Sequence, residues 1–295
     1  FWNSFALAVN AIKRNLLRSF LTVLGIIIGV AAVITMVTVG RGATQSVSDQ
    51  ISAMGTNQLI VRPGQRRGSG ANTPKFKQKD VDLIKTQVTG ITGVAPYSTL
   101  SATVIFQAKN YTTLITGTTN DFFTVGNWVL QSGRQFYDKE LNSGKASCIL
   151  GTTVKNKLFG KENPQGQRIR VKQFTCEVIG VLESKGQSTW GTDQDDKVLM
   201  PLKTVHRRLL GSLDIERMAV KVADSNKISI AQTKITELIR QSRRLPDNME
   251  NDFRVLDMRQ IIQTLTGTTR VLTMLLGAVA AVSLLVGGIG IMNIM

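Results

Sequence analysis

Two long runs without a charged residue bound this chain, residues 20–39 (FLTVLGIIIGVAAVITMVTV) and 271–295 (VLTMLLGAVAAVSLLVGGIGIMNIM). A helix rising ~1.5 Å per residue needs about twenty residues to cross the ~30 Å hydrocarbon core of a bilayer. Neither run has a polar stripe, so neither reads as a water-facing amphipathic helix. The intervening residues contain no comparable run. The expectation is a membrane hairpin that carries a large domain in water.

Residues 1–19 hold Lys13, Arg14 and Arg18 with no Asp or Glu, and basic residues beside a first span mark the cytoplasmic side. This amphipathic stub is therefore expected inside and residues 40–270 outside. A cleaved signal peptide is the competing reading, but its apolar stretch is ~7–15 residues long and ends at a small-residue cleavage site. The run here is longer, and no A-x-A follows it. Of the 36 basic residues, 33 lie between the runs with all 20 acidic ones, a net +13. They are scattered, as at Arg66/Arg67, Lys155/Lys157/Lys161 and Arg168/Arg170/Lys172. Both a solvated basic surface and an acidic or anionic partner fit. Nucleic acid is not expected as a partner of an exported domain.

The apolar pattern continues past each run. Val47, Ile51 and Met54 recur at i, i+4 and i+7 before Gly55, a helix stop. A helix over residues 20–54 is ~52 Å long and projects ~20 Å beyond the bilayer. On the other side Asp257 and Gln260 suit a capping pair, and Ile261 and Leu265 lead into the second run. The prediction is a rigid helical stalk over 40–55 and 257–270.

Between the stalks the pattern is mixed α and β. Strands are expected over LIVRPG (59–64), TLSATVIFQ and YTTLITGT around a turn at Lys109-Asn110, RIRV and FTCEVIGVL around a turn at Lys172-Gln173, MAVKVA, and FRVLD. Helices are expected over 79–88, 199–210 (opened by proline) and 228–240, with a loop over 64–75. Cys148 and Cys176 each sit in a strand-like string; a disulfide and two buried free thiols both fit.

Motifs for chemistry are mostly missing. Gly144-Lys145 lacks the rest of a phosphate-binding loop, so no ATP site is expected in this chain. His206 is the single histidine and sits beside Arg207 and Arg208, which disfavours a general base. Residues 186–191 (GQSTWG) are not a nucleophile elbow, and Asp193, Asp195 and Asp196 lack calcium-loop spacing and read as a solvated turn. No catalytic, cofactor or metal residue is expected, which argues against an enzyme. The apolar runs carry small residues at helical spacing instead: Gly25, Gly29 and Ala32, then Gly277 and Ala281, then Gly287, Gly288 and Gly290. Ordinary glycine content of membrane helices is one account, but alignment at helical spacing favours close helix packing through these residues.

Three strings, RSFLTVLGIIIGVAAVITMVTVGRGA, AMGTNQLIVRPG and LLVGGIGIMNIM, resemble the permease half of the MacB family of ABC transporters, in order and across essentially the whole chain. The resemblance implies an α+β membrane protein: two long transmembrane and stalk helices flanking a two-lobed mixed α/β periplasmic domain. A porter-like lobe is placed at 56–110 and 205–256, with a second lobe inserted at 111–204. It implies a multi-pass protein of the bacterial inner membrane acting as a homodimer. Its partners would be a cytoplasmic ABC ATPase holding ATP and Mg, a periplasmic adaptor and an outer-membrane channel. In that scheme ATPase closure travels along the stalk and drives extrusion from the periplasm. Two further spans and the loop that contacts the ATPase belong to the same pattern and lie outside these residues. An FtsX-like regulator of a cell-wall hydrolase, a lipoprotein-releasing permease and a two-span sensor are the alternatives.

Overall fold

The computed structural model describes residues 57–64, 74–188 and 191–260 continuously, with helical positions scattered through 20–42 and 264–282. The chain separates into two compact units, Gln50–Ile262 and the flanking Phe1–Asp49 with Gln263–Met295. Gly25, Gly29, Ala32, Val47, Ile51, Met54, Gly55, Ile261, Leu265, Gly287, Gly288, Gly290 and most of the 64–75 loop lie outside the described residues. In the flanking unit the described positions are helical and largely exposed, Ile27, Ile28, Met274 and Leu275 among them. Among the described residues no helix is long and apolar enough to cross a membrane. Gly277 and Ala281 are helical and exposed, and a Cβ at Gly277 would meet nothing within 4 Å.

The described strands of the central unit join in one hydrogen-bonded path, β10-β1-β9-β2-β3-β8-β5-β7-β4, with β6 bridging β2 and β7. These are β1 (Gln58–Pro63), β2 (Ile91–Phe106), β3 (Lys109–Thr118), β4 (Leu130–Gly133), β5 (Ser147–Leu150), β6 (Arg168–Val171), β7 (Phe174–Leu182), β8 (Lys197–Pro201), β9 (Arg217–Val222) and β10 (Phe253–Asp257). The sixteen-residue β2 belongs to two sheets. It pairs antiparallel with β9 through Tyr97 and with β3 from Ser98 onward. The first sheet is β10-β1-β9-β2, antiparallel throughout. The second is mixed, with parallel pairs β3/β8 and β5/β7.

Alternation along the strands assigns each residue to a face. Leu59 and Val61 of β1 and Met218, Val220 and Val222 of β9 face one core. Two helices cover that face, α1 (Gln78–Gln87) through Val81 and Ile84, and α6 (Ile228–Ser242) through Ile228, Ala231, Ile235, Leu238 and Ile239. The 3- and 4-residue steps of α6 place those five on one stripe, and each fully buried aliphatic side chain contributes about 1.5–3 kcal/mol. A second core lies within the second sheet, where Val154, Leu158 and Phe159 of helix α4 (Thr152–Leu158) and its cap cover Val104, Ile115, Ile169 and Val178. A third joins the sheets: Ala95, Tyr97 and Ala219 of the first meet Ile149, Leu182 and Leu199 of the second, with Phe122, Phe123 and Val125 of helix α2 (Asp121–Gly126) between them. Two further helices, α3 (Asp138–Ser143) and α5 (Leu202–Val205), flank the β3 end, and α5 runs on as a π turn over His206–Leu210. A Cβ at Gly117 would stand 2.7 Å from that of Val205, so α5 sits on β3 only because the strand has no side chain there.

Several sequence expectations change. The β2/β3 hairpin turns at Gln107-Ala108, where Gln107 takes φ 53°; Lys109 and Asn110 are already paired with Phe106 and Ile105. Residues 199–201 belong to β8, and the helix starts after Pro201. The lobe boundary at 110/111 would cut this hairpin and the one at 204/205 would cut α5; the change of sheet falls at Tyr97/Ser98, and the whole of Gln50–Ile262 is one compact unit.

Candidate functional site: the root of the domain and the seam between its sheets

The domain's first and last strands are neighbours. β1 and β10 pair antiparallel with Leu59 opposite Asp257, so the chain comes in and goes out at one end of one sheet edge. Asp257, expected as a helix cap, is the last residue of β10 and is 5% exposed. Its Oδ1 accepts the Arg259 backbone N–H at 2.9 Å, satisfying a donor of the helical residues 258–260. Arg259 Nη2 donates to Asp257 Oδ2 at 2.9 Å, and Nη1 donates to the Ser225 carbonyl at 2.6 Å. The outgoing chain is thereby clamped to both β10 and the turn before α6.

The incoming strand is tied to α2. The last carbonyls of a helix have no partner within it, and its C-terminal end favours cations. Here three carbonyls are met in turn: Thr124 O by Lys221 Nζ at 2.9 Å, Val125 O by Gln58 Nε2, and Gly126 O by Lys185 Nζ at 2.6 Å. Gln58 opens β1, Lys221 lies opposite it on β9, and Lys185 follows β7 of the second sheet. One helix end therefore gathers the incoming strand and both sheets. Trp128 stacks on Phe122 at 5.6 Å, with the Lys185 and Lys197 ammonium groups 4.5 Å and 4.6 Å from its ring centroid. Burial above all pulls both lysines down to about 8; neighbouring Arg217 and Lys185 add to the effect at Lys197, and Lys221 at Lys185. A Cβ on Gly126 would meet Trp128 Cδ1 at 2.6 Å, which fixes glycine at that position.

At the seam, buried Ser98 donates its hydroxyl proton to the Asp214 carbonyl at 2.9 Å. Its 2.8 Å contact to His206 Nε2 must then be donated by the imidazole, which assigns the Nε2–H tautomer. Burial holds the His206 pKa below its ordinary value, partly offset by the Asp214 carbonyl. One residue on, Glu216 accepts the Thr99 N–H at 3.1 Å and its hydroxyl at 2.5 Å. These contacts tie β2 to the π turn after α5 and to the segment that leads into β9.

The second sheet is braced covalently and ionically. Cys148 of β5 and Cys176 of β7 form a disulfide with Cα atoms 6.0 Å apart. Buried Glu140 takes Arg134 in a two-pronged bond at 2.7 and 3.0 Å, the Tyr137 N–H at 2.9 Å and the Ser147 hydroxyl at 2.7 Å. The Arg134 contact, ahead of those other donors, lowers its pKa to about 2. The acidic group expected as a solvated turn does lie in a turn, with Asp193 and Asp196 half-buried, but Asp195 is buried: 3% exposed, it accepts from Ser184 Oγ and from the Lys185 and Gly186 N–H groups. Asp193 accepts from Thr153 Oγ1 at 2.6 Å, and Asp196 from Thr113 Oγ1 at 2.7 Å. Among the described residues no group of three His, Cys, Asp or Glu side chains is arranged to hold a metal.

The knot of Gln58, Lys185 and Lys221 was not anticipated from sequence. Its bonds join residues 67, 59 and 97 positions apart, and no local pattern signals them.

Comparison with known proteins places this architecture. The chain spans about half the length of the curated relatives it matches. It is 36% identical over 295 residues to the macrolide export ATP-binding/permease protein MacB of Wolinella succinogenes, covering 100% of this chain and 45% of that protein. With the same-named protein of Azoarcus sp. it shares 38% identity over 289 residues, 98% of this chain and 43% of that protein. Among solved structures, the periplasmic region of MacB from Actinobacillus actinomycetemcomitans superposes with a TM-score of 0.62 at 23% identity, covering 75% of this chain and 97% of that one. The extracellular domain of the noncanonic ABC-type transporter YknZ gives 0.57 at 21% identity, covering 68% and 100%. These two show the shared fold. The family model described as MacB-like periplasmic core domain matches residues 19–238, and the chain belongs to that family.

Proposed function

We propose that this chain is the force-transmitting part of an ABC-type export permease of the inner membrane. In this reading residues 20–39 and 271–295 are membrane helices, 40–55 and 257–270 form a stalk, and the domain works in the periplasm. A cytoplasmic ABC ATPase, holding ATP and Mg, supplies the displacement to a homodimer. A periplasmic adaptor and an outer-membrane channel receive the cargo. The curated relatives' names support export, and the two uncharged runs support the spans.

The observation that carries the mechanical part is the Leu59–Asp257 pairing. A displacement arriving along either flanking segment enters one antiparallel edge, and the Arg259 clamp and α2 knot pass it inward through hydrogen bonds. Such coupling needs an element with two arrangements that both ends bias. The test inserts a flexible Gly-Ser-Gly-Gly segment after Met54 in the full-length permease, assayed with its ATPase. ATP hydrolysis should continue while export of a macrolide, the cargo in the relatives' names, collapses. Unimpaired export would end the mechanical reading. Recovery of a bound cell-wall hydrolase without an adaptor would replace it with the regulator alternative.

A further inference from the structure

A cleft of about 410 Å³ opens where helices of the two sheets converge, between α1, the β3–α2 link, α3 and α5. Its size falls in the range of small-molecule sites, which favour the junction of two packed bodies. The charges lining it are not matched alike. Lys85 and Asp121 form an ion pair at 2.5 Å and neutralise each other. Among the described residues the exposed Lys203 has only long contacts, 3.4 and 3.3 Å, to the Asn142 carbonyl and side-chain oxygens. Such lengths mark weak bonds for an ammonium group. The carboxylate of Asp138 has no hydrogen-bond or ion-pair partner among the described residues. Leu141 and Leu202 supply an apolar wall.

We propose that this cleft binds a small zwitterion of the amino-acid type, its carboxylate on Lys203, its ammonium group on Asp138 and its apolar side chain against Leu141 and Leu202. A cation, an anion and an apolar surface on one small concavity are the three contacts that such a ligand offers. Because α1 packs in the core of the first sheet while α3 and α5 flank the second, the bound ligand touches both sides of the seam. The site is independent of the export reading and stands or falls without it.

The experiment is equilibrium dialysis of radiolabelled L-leucine against the full chain in lipid nanodiscs. Saturable binding is expected, and competition should require both charges: isocaproate, lacking the amine, and isoamylamine, lacking the acid, should fail to displace it. Lys203→Ala and Asp138→Ala should each weaken binding about ten-fold or more, the loss of one charge-assisted contact. Lys85→Ala should leave it within about two-fold, since that charge is already paired. Hydrogen exchange in α1 and α3 should slow together on adding L-leucine. No saturable binding of L-leucine or L-leucyl-L-leucine at millimolar concentration overturns the proposal, as does binding that survives both substitutions in variants whose exchange patterns show them folded.

Discussion

The two sheets of this domain are held together differently. The first, bearing the root strands β1 and β10, is an antiparallel ladder covered on one face by two helices through an aliphatic core. The second carries two parallel pairs, a disulfide and buried carboxylates that each take several donors. Parallel pairing joins strands distant in the chain, and β5 is only four residues long, so little local structure supports it. Cross-braces replace what length would otherwise provide. The sheet attached to the flanking segments is antiparallel throughout, packed on an aliphatic core and clamped at its root by Arg259; the sheet beyond the seam mixes strand directions and adds a covalent bond and buried carboxylates.

Removing the covalent brace should have the largest effect. The disulfide spans 28 residues of sequence, and a loop of that size stabilises by about 3.5 kcal/mol through restriction of the unfolded chain. Cys148→Ser with Cys176→Ser should lose that amount, with hydrogen exchange rising first in β5 and β7. Equal loss of protection in β1 and β10 would show the sheets to be one cooperative unit and erase the contrast. Ile235→Ala is the converse, opening a cavity under the first sheet at a cost of about 3 kcal/mol, with exchange rising first in α6, β1 and β9.

Glu140→Gln ranks next. It keeps the shape but removes the charge that Arg134 and two other donors meet, a loss of about 2–3 kcal/mol. The pH dependence follows from the folded pKa of about 2, against an ordinary value of 4.5. Because the folded value is the lower, the stabilisation is complete above 4.5 and disappears as pH falls towards 2. Acid melts of the wild type and the Gln variant should converge across that window; parallel curves would refute the role given to Glu140. Asp257→Asn, at the root, weakens one partly exposed clamp and should cost about 1 kcal/mol, read as faster exchange in β10.

Much of this layout is legible in the sequence. Helix α6 follows the spacing of Ile228, Ala231, Ile235 and Leu238, and the Lys172-Gln173 turn falls between strands of clear β composition, with Lys172 at φ 51°. The mirrored case misleads: Asn110 is the stronger turn former, yet Gln107 takes the left-handed conformation, because the Phe106–Lys109 register sets the turn. Pro96 reads as a strand breaker but lies within β2 opposite Met218. That hides the most consequential fact, that one strand serves two sheets, with the change of partner at Tyr97/Ser98. Periodicity reports which face is apolar and not which neighbour covers it. For the same reason Asp193, Asp195 and Asp196 look solvated while their partners, Thr153, Ser184 and Thr113, are distant or polar neighbours with no pattern of their own.

The smallest expected effect bears most directly on the contrast, because it sits where the sheets meet. Ser98→Ala and His206→Leu each remove one side of a buried hydrogen bond, and a double-mutant cycle should return a coupling of about 0.5–1 kcal/mol. His206 also gives the seam a pH dependence. Burial holds its folded pKa below the ordinary 6.5, so the unfolded chain takes up the proton first as pH falls. Stability conferred by the neutral imidazole is present above that value and declines below it, at a pH where Glu140 is still fully charged. Melting the wild type and the Leu variant between pH 7.5 and 5 separates the two groups: the wild type should lose stability across the interval and the variant much less. Identical slopes would mean that the seam does not sense His206 protonation.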